Sequence, residues 1–389
     1  MNDLANIEKQ LPDTLEDLSR FALVGREKLT AVRAEIRAIK KVGLAKEVLE
    51  QKKAEAQEIA ELVTLSEVKI GGMLNDVPKA SGGDRKSENF KNRTVADFEK
   101  PKSEVLKDIG LKPDTAERYQ KMAQHEDIVR EAIAEAREND DVVSRSAILG
   151  KIKKKEKSDQ IEKARQHIAD QNKPLEKEKP EIIIANSLEY LPEGEFDLLL
   201  TDPPYSTDVE DIYSFVEKWL HRALRKIKPT GFAYVFIGAY PEEIEAYFSA
   251  PKPSHMELVQ PLIWTYKNTL GNNPKDRYKL NYQMCLFFRG KEAPCLDCPL
   301  TNEQWAVQEI NAPDGRQGDR YHAWQKPMEI AERFIRHSTK QGQTVLDPFA
   351  CTGTFSLAAT KLGRKAIGIE IDPENAKIAE ERGCLIKTL

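Results

Sequence analysis

The sequence predicts an α/β protein: a parallel-rich sheet covered on both faces by helices, preceded by a mostly helical N-terminal domain. Three observations carry this expectation. The chain changes character near residue 180, from a Lys-, Glu-, Ala- and Arg-rich stretch poor in strand-like runs to one where β-like and amphipathic segments alternate. Strands that alternate with helices imply parallel pairing, with crossover helices on the sheet faces. Finally, the run Thr344–Leu346 passes through a small-residue turn into a helix. A helix N-terminus in that setting exposes backbone N–H groups to a nucleotide-like ligand.

In chain order, Glu27 to Leu62 reads as long helix, with Ala, Ile, Leu and Val at helical spacing and almost no Gly or Pro. No heptad is sustained, so a helical hairpin or a partner helix fits better than a coiled coil. Gly71-Gly72 weakens helix there, and Ser81-Gly82-Gly83-Asp84-Arg85-Lys86 reads as a loop to which Lys91 and Arg93 add charge. Residues 103–124 resemble a helix-turn-helix. Ser103 starts a short helix, Gly110 sits where a tight turn needs positive φ, Leu111 plugs the core, and Pro113-Asp114-Thr115 opens a second helix. On that helix Ala116 and Tyr119 face the core, beside Glu117, Arg118, Gln120 and Lys121; a plain two-helix corner explains the pattern as well. Lys151 to Lys157 begins a charged linker running to Pro180, either solvated or a tether to phosphates. The expected division is a helical domain at 1–150, a linker at 151–180 and a catalytic domain at 181–389.

Seven β-like runs follow: Glu181–Ala185, Phe196–Thr201, Phe232–Ile237, Leu258–Thr265, Tyr282–Phe288, Thr344–Leu346 and Lys365–Glu370. Helices are expected at Asp211–Ile227, Tyr240–Ala250, Lys326–Ser338, Thr354–Leu362 and Pro373–Arg382.

With 389 residues, the chain has room for two or three domains. Its net charge of −4 means that any nucleic-acid surface is local. No apolar run approaches a membrane span, and Met1 to Arg20 lacks the apolar stretch of a secretory signal. Five cysteines suit a reducing cytoplasm rather than a disulfide framework. Cys295 and Cys298 form a lone CxxC, short of a zinc site's four ligands, and no metal is expected. Pro294-Cys295 matches the dipeptide of a cysteine nucleophile but lies far from the chemistry below. Trp264, Trp305 and Trp324 read as packing residues.

Two constellations carry chemistry. Asp347-Pro348-Phe349-Ala350-Cys351-Thr352-Gly353-Thr354 leads from strand to helix, and Glu370 ends the next strand, placed to bind ribose hydroxyls. No G-x-x-x-x-G-K-[ST] loop supports triphosphate hydrolysis. Asp202-Pro203-Pro204-Tyr205 ends the second run. Its prolines remove two N–H donors and fix two φ angles, holding neighbouring carbonyls rigidly. That suits the activation of an exocyclic amine, whose lone pair is delocalised into its ring. A carboxylate and a backbone carbonyl that hold the two hydrogens favour a pyramidal nitrogen able to attack a methyl sulfonium in line. Tyr205 would stack on a base flipped out of the duplex.

On these motifs residues 181–389 resemble the S-adenosylmethionine-dependent amino-methyltransferases of DNA, the N6-adenine/N4-cytosine family, which share a Rossmann-like sheet. The catalytic motif Asp202-Pro203-Pro204-Tyr205 precedes the cofactor loop, as in the circularly permuted β class. The resemblance implies a cofactor site made by Asn186, Asp202, Lys326, Asp347, Phe349, Ala350, Cys351, Thr352, Gly353, Thr354, Glu370 and Asp372. His322 and Gln325-Lys326-Pro327 resemble the segment that opens a helix near the methionine moiety. Residues 266–321 correspond to the target-recognition region, with Lys267, Asn268, Asn272, Asn273, Lys275, Arg277 and Lys279. Arg85, Lys86, Arg118, Lys267, Asn268, Lys275 and Arg277 are the expected DNA contacts. Two departures stand out: the family usually has Gly at Cys351, and Gly-Asp at Ala185-Asn186. Asp before Pro-Pro-Tyr leans towards adenine N6 and Ser towards cytosine N4. The expectation is thus a cytoplasmic, bacterial or phage-borne enzyme, related to restriction-modification, that methylates adenine in double-stranded DNA, with a homodimer as its candidate assembly. Its alternatives are an N4-cytosine enzyme and a DNA-binding regulator with a decayed methylase half.

Overall fold

The computed structural model describes residues 9–43, 46–77, 101–174, 178–268, 274–314, 320–322 and 325–389. Arg85, Lys86, Lys91, Arg93, Asn272, Asn273 and Trp324 lie outside the described residues, as does the loop expected at 81–86. The chain divides into two units, Met1–Gln160 and Ile161–Leu389.

In the first unit, α1 (Leu15–Val42) and α2 (Lys46–Asp76) share one apolar core. The helical stretch expected over Glu27–Leu62, with a helical hairpin among its readings, divides at Gly43, which adopts a φ of 71° and closes its N–H on Ile39 O. Gly71, by contrast, does not break α2. A Cβ there would lie 2.0 Å from Tyr119 O, so the missing side chain lets α4 (Pro113–Gln124) approach. Before it, α3 (Lys102–Asp108) ends at Gly110, which has the positive φ the turn requires. Ala116 and Tyr119 are buried as expected. Tyr119 lies between the Arg26 and Arg145 guanidiniums, and its hydroxyl meets Glu67, which both arginines also reach. Gln120 donates to Leu74 O and Lys121 pairs with Glu156, while Glu117 and Arg118 are exposed. After α5 (Glu126–Glu138) comes α6 (Arg145–Gln171). The linker expected from 151 is therefore helical to Gln171: Lys, Glu, Ala and Gln favour helix, and no Gly or Pro intervenes before Pro174.

Among its described residues the second unit holds nine strands: β1 (Glu181–Ile184), β2 (Phe196–Thr201), β3 (Ile227–Ile237), β4 (Met256–Thr265), β5 (Tyr282–Gly290), β6 (Val307–Glu309), β7 (Thr344–Asp347), β8 (Lys365–Glu370) and β9 (Leu385–Thr388). They form one sheet in the order β6-β4-β5-β3-β2-β7-β8-β1-β9. β5 runs antiparallel to β3 and β4, and the other pairings are parallel. All seven expected runs are strands. β6 and β9 escaped notice because they are short and partly exposed.

Alternation along the strands separates two cores. Leu198, Leu200, Tyr234 and Phe236 meet α9 (Met328–Ser338) and α10 (Thr354–Lys361). Leu199, Ala233, Val235 and Ile237 meet α7 (Ile212–Arg225) and α8 (Pro241–Ser249) on the opposite face. The fifth helix of the unit, α11 (Pro373–Glu381), follows β8. Lys326 lies ahead of α9 rather than in it, because a residue before proline is steered out of the helical region. β5 falls inside the span expected for target recognition, yet it is a buried core strand. Trp264 packs as expected and donates to Ile310 O. Trp305 does not: it is 64% exposed, just after the short helical turn Thr301–Gln304.

Candidate active site

The chain leaves β2 towards β3 on one side of the sheet, and leaves β7 towards β8 on the other. β2 and β7 are neighbours, so a crevice opens beyond their carboxyl ends, where α/β sheets bind ligands. Asp202 follows β2 and Asp347 ends β7. Thr201 Oγ1 donates to Asp347 Oδ1 at 2.8 Å, tying the two strand ends.

A cavity of about 560 Å³ fills this crevice, lined by Asn186, Asp202, Pro203, Pro204, Tyr205, Lys326, Asp347, Phe349, Ala350, Cys351, Thr352, Thr354 and Glu370. Most of the expected cofactor residues thus meet in one place. Gly353 and Asp372 do not line it. Gly353, with φ 78°, shapes the turn before α10, and Asp372 caps α11 by accepting Glu374 N–H. Asn186 spends its amide locally, with Oδ1 accepting Leu188 N–H and Nδ2 donating to Glu189. Ser187, Leu188, Phe215 and Asn375 also line the cavity and were not marked by any motif.

Glu370 organises the loop between β7 and α10. Its two oxygens accept the N–H groups of Cys351 at 2.7 Å and Asp372 at 2.8 Å. Cys351 has a φ of 47°, the left-handed region that favours glycine, which accounts for the residue type usual there. Burial raises its thiol to about 11, which disfavours the thiolate. Burial also raises the Glu370 carboxyl and lifts that of Asp347 to about 7. From beneath, Arg382 donates to Thr352 O at 2.6 Å and to the hydroxyl of Thr354 at 3.0 Å, a brace no motif disclosed. Phe349 packs edge-on against Trp219, with centroids 5.0 Å apart.

Asp202, Tyr205 and Lys326 form a closed triad. Tyr205 Oη donates to Asp202 Oδ1 at 2.6 Å. Lys326 Nζ donates to Asp202 Oδ2 and, at 2.8 Å, to Tyr205 Oη. Lys326 is buried and its ammonium faces the rings of Tyr205, Phe236 and Trp264. Burial and the adjacent Asp202 push the Tyr205 phenol well above its usual range.

A second cavity, of about 650 Å³, opens on the other side of Tyr205. Tyr240, Trp264, Tyr266, Tyr282 and Gln283 line it, and Tyr205, Asp208 and Gln325 border both cavities. Asn268 also lines it, but its amide clamps the backbone of Ala312 in both directions. Lys267 pairs with Glu309 and Arg277 with Asp276, while Lys275 is exposed. Arg118 belongs to the other unit. Among the described residues, no group of three or more His, Cys, Asp or Glu comes together as a metal site, and no helix is long and apolar enough to cross a membrane.

A crevice of this kind, at the carboxyl ends of a parallel-rich sheet, defines a Rossmann-like nucleotide-binding enzyme. Residues 196–381 match the family described as DNA methylase, with N6 and N4 amino specificities grouped together. Residues 196–381 are accordingly a DNA methylase domain of the N6/N4 amino type, whose cofactor is S-adenosylmethionine. Type II methyltransferase M2.LlaDCHI of Lactococcus lactis subsp. cremoris is 28% identical over 55% of this chain and 87% of its own length. Type II methyltransferase M.HpaI of Haemophilus parainfluenzae is 26% identical over 50% of this chain and 70% of its own. Among solved structures, the M1.HpyAVI–SAM complex aligns at a TM-score of 0.42 and 23% identity, covering 52% of this chain and 98% of that one. The cytosine-N4-specific PvuII DNA methyltransferase aligns at 0.42 and 21%, covering 53% and 89%.

Proposed function

We propose that the protein methylates the exocyclic N6 of adenine in double-stranded DNA, with Asp202-Pro203-Pro204-Tyr205 as the catalytic segment. One observation carries this reading: the two cavities meet at Tyr205, beside the Asp202 carboxylate. The first cavity suits the cofactor. Phe349, Phe355 and Ile369 offer apolar walls, and Glu370 is fixed by two N–H groups while keeping lone pairs for ribose hydroxyls. When bound, S-adenosylmethionine supplies an electrophilic methyl group. The second cavity is rich in aromatic rings, which stack on an extruded base.

Asp202 and the carbonyl of Pro203 hold the two amine hydrogens, freeing the nitrogen lone pair, and the nitrogen sheds a proton after transfer. Tyr205 stacks on the base while its hydroxyl keeps Asp202 in place. Asp rather than Ser ahead of Pro-Pro-Tyr supports adenine over cytosine. Arg118, exposed on α4, supports a DNA contact for the first unit. The test is direct: methylate unmodified DNA, digest it to nucleosides and weigh the product. N6-methyladenine is expected. N4-methylcytosine would overturn the choice of base, and no methylated nucleoside would overturn the activity.

A further inference from the structure

Tyr278 is 97% exposed, and no other large apolar side chain among the described residues is as open to solvent. It lies between β4 and β5, just before Lys279 and Leu280, both of which line the aromatic cavity beyond Tyr205. Leu280 is itself partly exposed, which marks the rim of that cavity. Consecutive Cα atoms are about 3.8 Å apart, so Tyr278 is carried at the mouth without being part of the wall. The other exposed aromatic side chains of the unit stand elsewhere. Tyr213 is bonded to Glu245, and Tyr321 lies against the Arg382 guanidinium. Phe248 and Trp305 line neither the cofactor crevice nor the aromatic cavity. Around Tyr278 the charge is positive: Lys275, Arg277 and Lys279 stand against Asp276 alone, which pairs with Arg277.

Single exposed apolar residues are ordinary on protein surfaces, and it is the position of this one that singles it out. A base that enters the aromatic cavity must first leave its stack and its pairing partner, which costs free energy. Side chains that hold a duplex open insert an apolar group at the vacated step, and an aromatic ring stacks on any base. Such a group has to stand at the mouth of the cavity that takes the base, among cations that hold the phosphates. Tyr278 meets both conditions. We propose that Tyr278 enters the duplex where the target base leaves it and stacks in the gap, while Lys275 and Arg277 hold the flanking phosphates. The inference rests on the proposed methylation of an extruded base and adds the group that keeps that base out. Tyr278 is a positioning residue in this role, since its ring touches the duplex and not the reacting atoms.

The target position is first read from plasmid DNA methylated by the wild type. Two synthetic duplexes then carry it: one fully paired, one with an abasic position opposite the target, so that no pairing has to be broken. On paired DNA, Tyr278→Ala should lower kcat/KM by about 10–100-fold, the loss that follows removal of one stacking ring. On the abasic duplex the loss should shrink to about threefold or less, because an unpaired base is cheaper to extrude. Tyr278→Phe and Tyr278→Trp keep a ring and should stay within about threefold of wild type on both duplexes. A fluorescent analogue at the target position, 2-aminopurine where the base is adenine, should brighten at saturating wild type and much less at saturating Tyr278→Ala. Cofactor affinity, by calorimetry, should not change, since Tyr278 lies outside the crevice. Lys275→Gln should weaken binding to both duplexes alike and flatten the slope of log affinity against log salt by about one. An unchanged slope would remove the phosphate contact. Wild-type rates for Tyr278→Ala on paired DNA would overturn the inference, and so would equal losses on the two duplexes, which mark an ordinary surface contact. Absence of transfer to any DNA by the wild type would instead sink the methylation reading, and this inference with it.

Discussion

The buried carboxylate of Glu243 accepts the backbone N–H of Ser206 at 3.0 Å, one residue beyond Tyr205. Its other oxygen accepts Gly238 N–H at 2.6 Å, at the end of β3. A Cβ on Gly238 would lie 2.6 Å from that carboxylate, so the glycine is part of the same fitting. Glu243 therefore staples the catalytic segment to the wall of the aromatic cavity.

Removing the staple strands two N–H groups, each worth about 1–3 kcal/mol if left unpaired. Glu243→Ala should lower Tm and cut kcat by about tenfold or more, since 1.4 kcal/mol of lost positioning is a factor of ten. The cofactor Kd should change little. Glu243→Gln, with one accepting oxygen, should fall between. Equal kcat in wild type and Glu243→Ala, from initial-rate measurements, would remove Glu243 from the positioning of Asp202.

Asp347 makes stability fall with rising pH. Burial lifts its folded carboxyl to about 7 from an ordinary value near 3.8. Between those values the folded state keeps a proton that the unfolded chain has lost. Its contribution is thus fully present at low pH and is lost as pH rises through 7. Asn in its place does not titrate, and its amide oxygen can still accept from Thr201 and from Phe349 N–H. Asp347→Asn should match wild-type Tm near pH 4 and exceed it by several degrees at pH 8, as scanning calorimetry would show.

Much of this was legible beforehand because motif and period agree. The run Phe196–Thr201 is apolar but for Asp197 and Thr201, and it became a central strand, buried on both faces. Asp202, Asp347 and Glu370 could be placed because each follows or ends a recognisable strand. What stayed hidden is long-range. Lys326 lies 124 positions from Asp202, and Glu243 lies 37 from Ser206, and no local pattern announces either contact. Asn268 looked like a base reader and proved to clamp Ala312, since an amide serves both tasks equally well. The helix within the expected linker stayed hidden for a different reason: lysine runs are charged, which suggests solvent, but they are also good helix formers.

Asp202 and Lys326 should be coupled in stability. Asp202→Ala abolishes the acceptor for the amine and leaves a buried ammonium facing only Tyr205 Oη. Breaking a buried pair from one side costs about 3–5 kcal/mol, and the partial exposure of Asp202 puts this case at the lower end. Asp202→Ala should therefore be inactive and have a lower Tm than wild type. Combining it with Lys326→Met should recover most of the lost stability and none of the activity. Denaturant unfolding of the four proteins gives the coupling, and additive losses would mean the pair does not interact as drawn.

Cys351 offers the opposite case, a residue whose replacement should improve the site. Its φ of 47° places a Cβ in the left-handed region, which costs an L-residue about 1–2 kcal/mol relative to glycine. The strain sits beside the N–H that Glu370 accepts, so it bears on the loop proposed to hold the cofactor. Cys351→Gly keeps that N–H and removes both the strain and a half-buried thiol. Glycine also gains more freedom in the unfolded chain, which offsets part of the gain. The expected result is a Tm at or above wild type and cofactor binding tightened by a few-fold, read by calorimetry. Cys351→Ala separates the causes: it removes the sulfur but keeps the Cβ, so it should leave Tm and affinity near those of wild type. If alanine tightened binding as much as glycine, the sulfur rather than the backbone would be what hinders the cofactor.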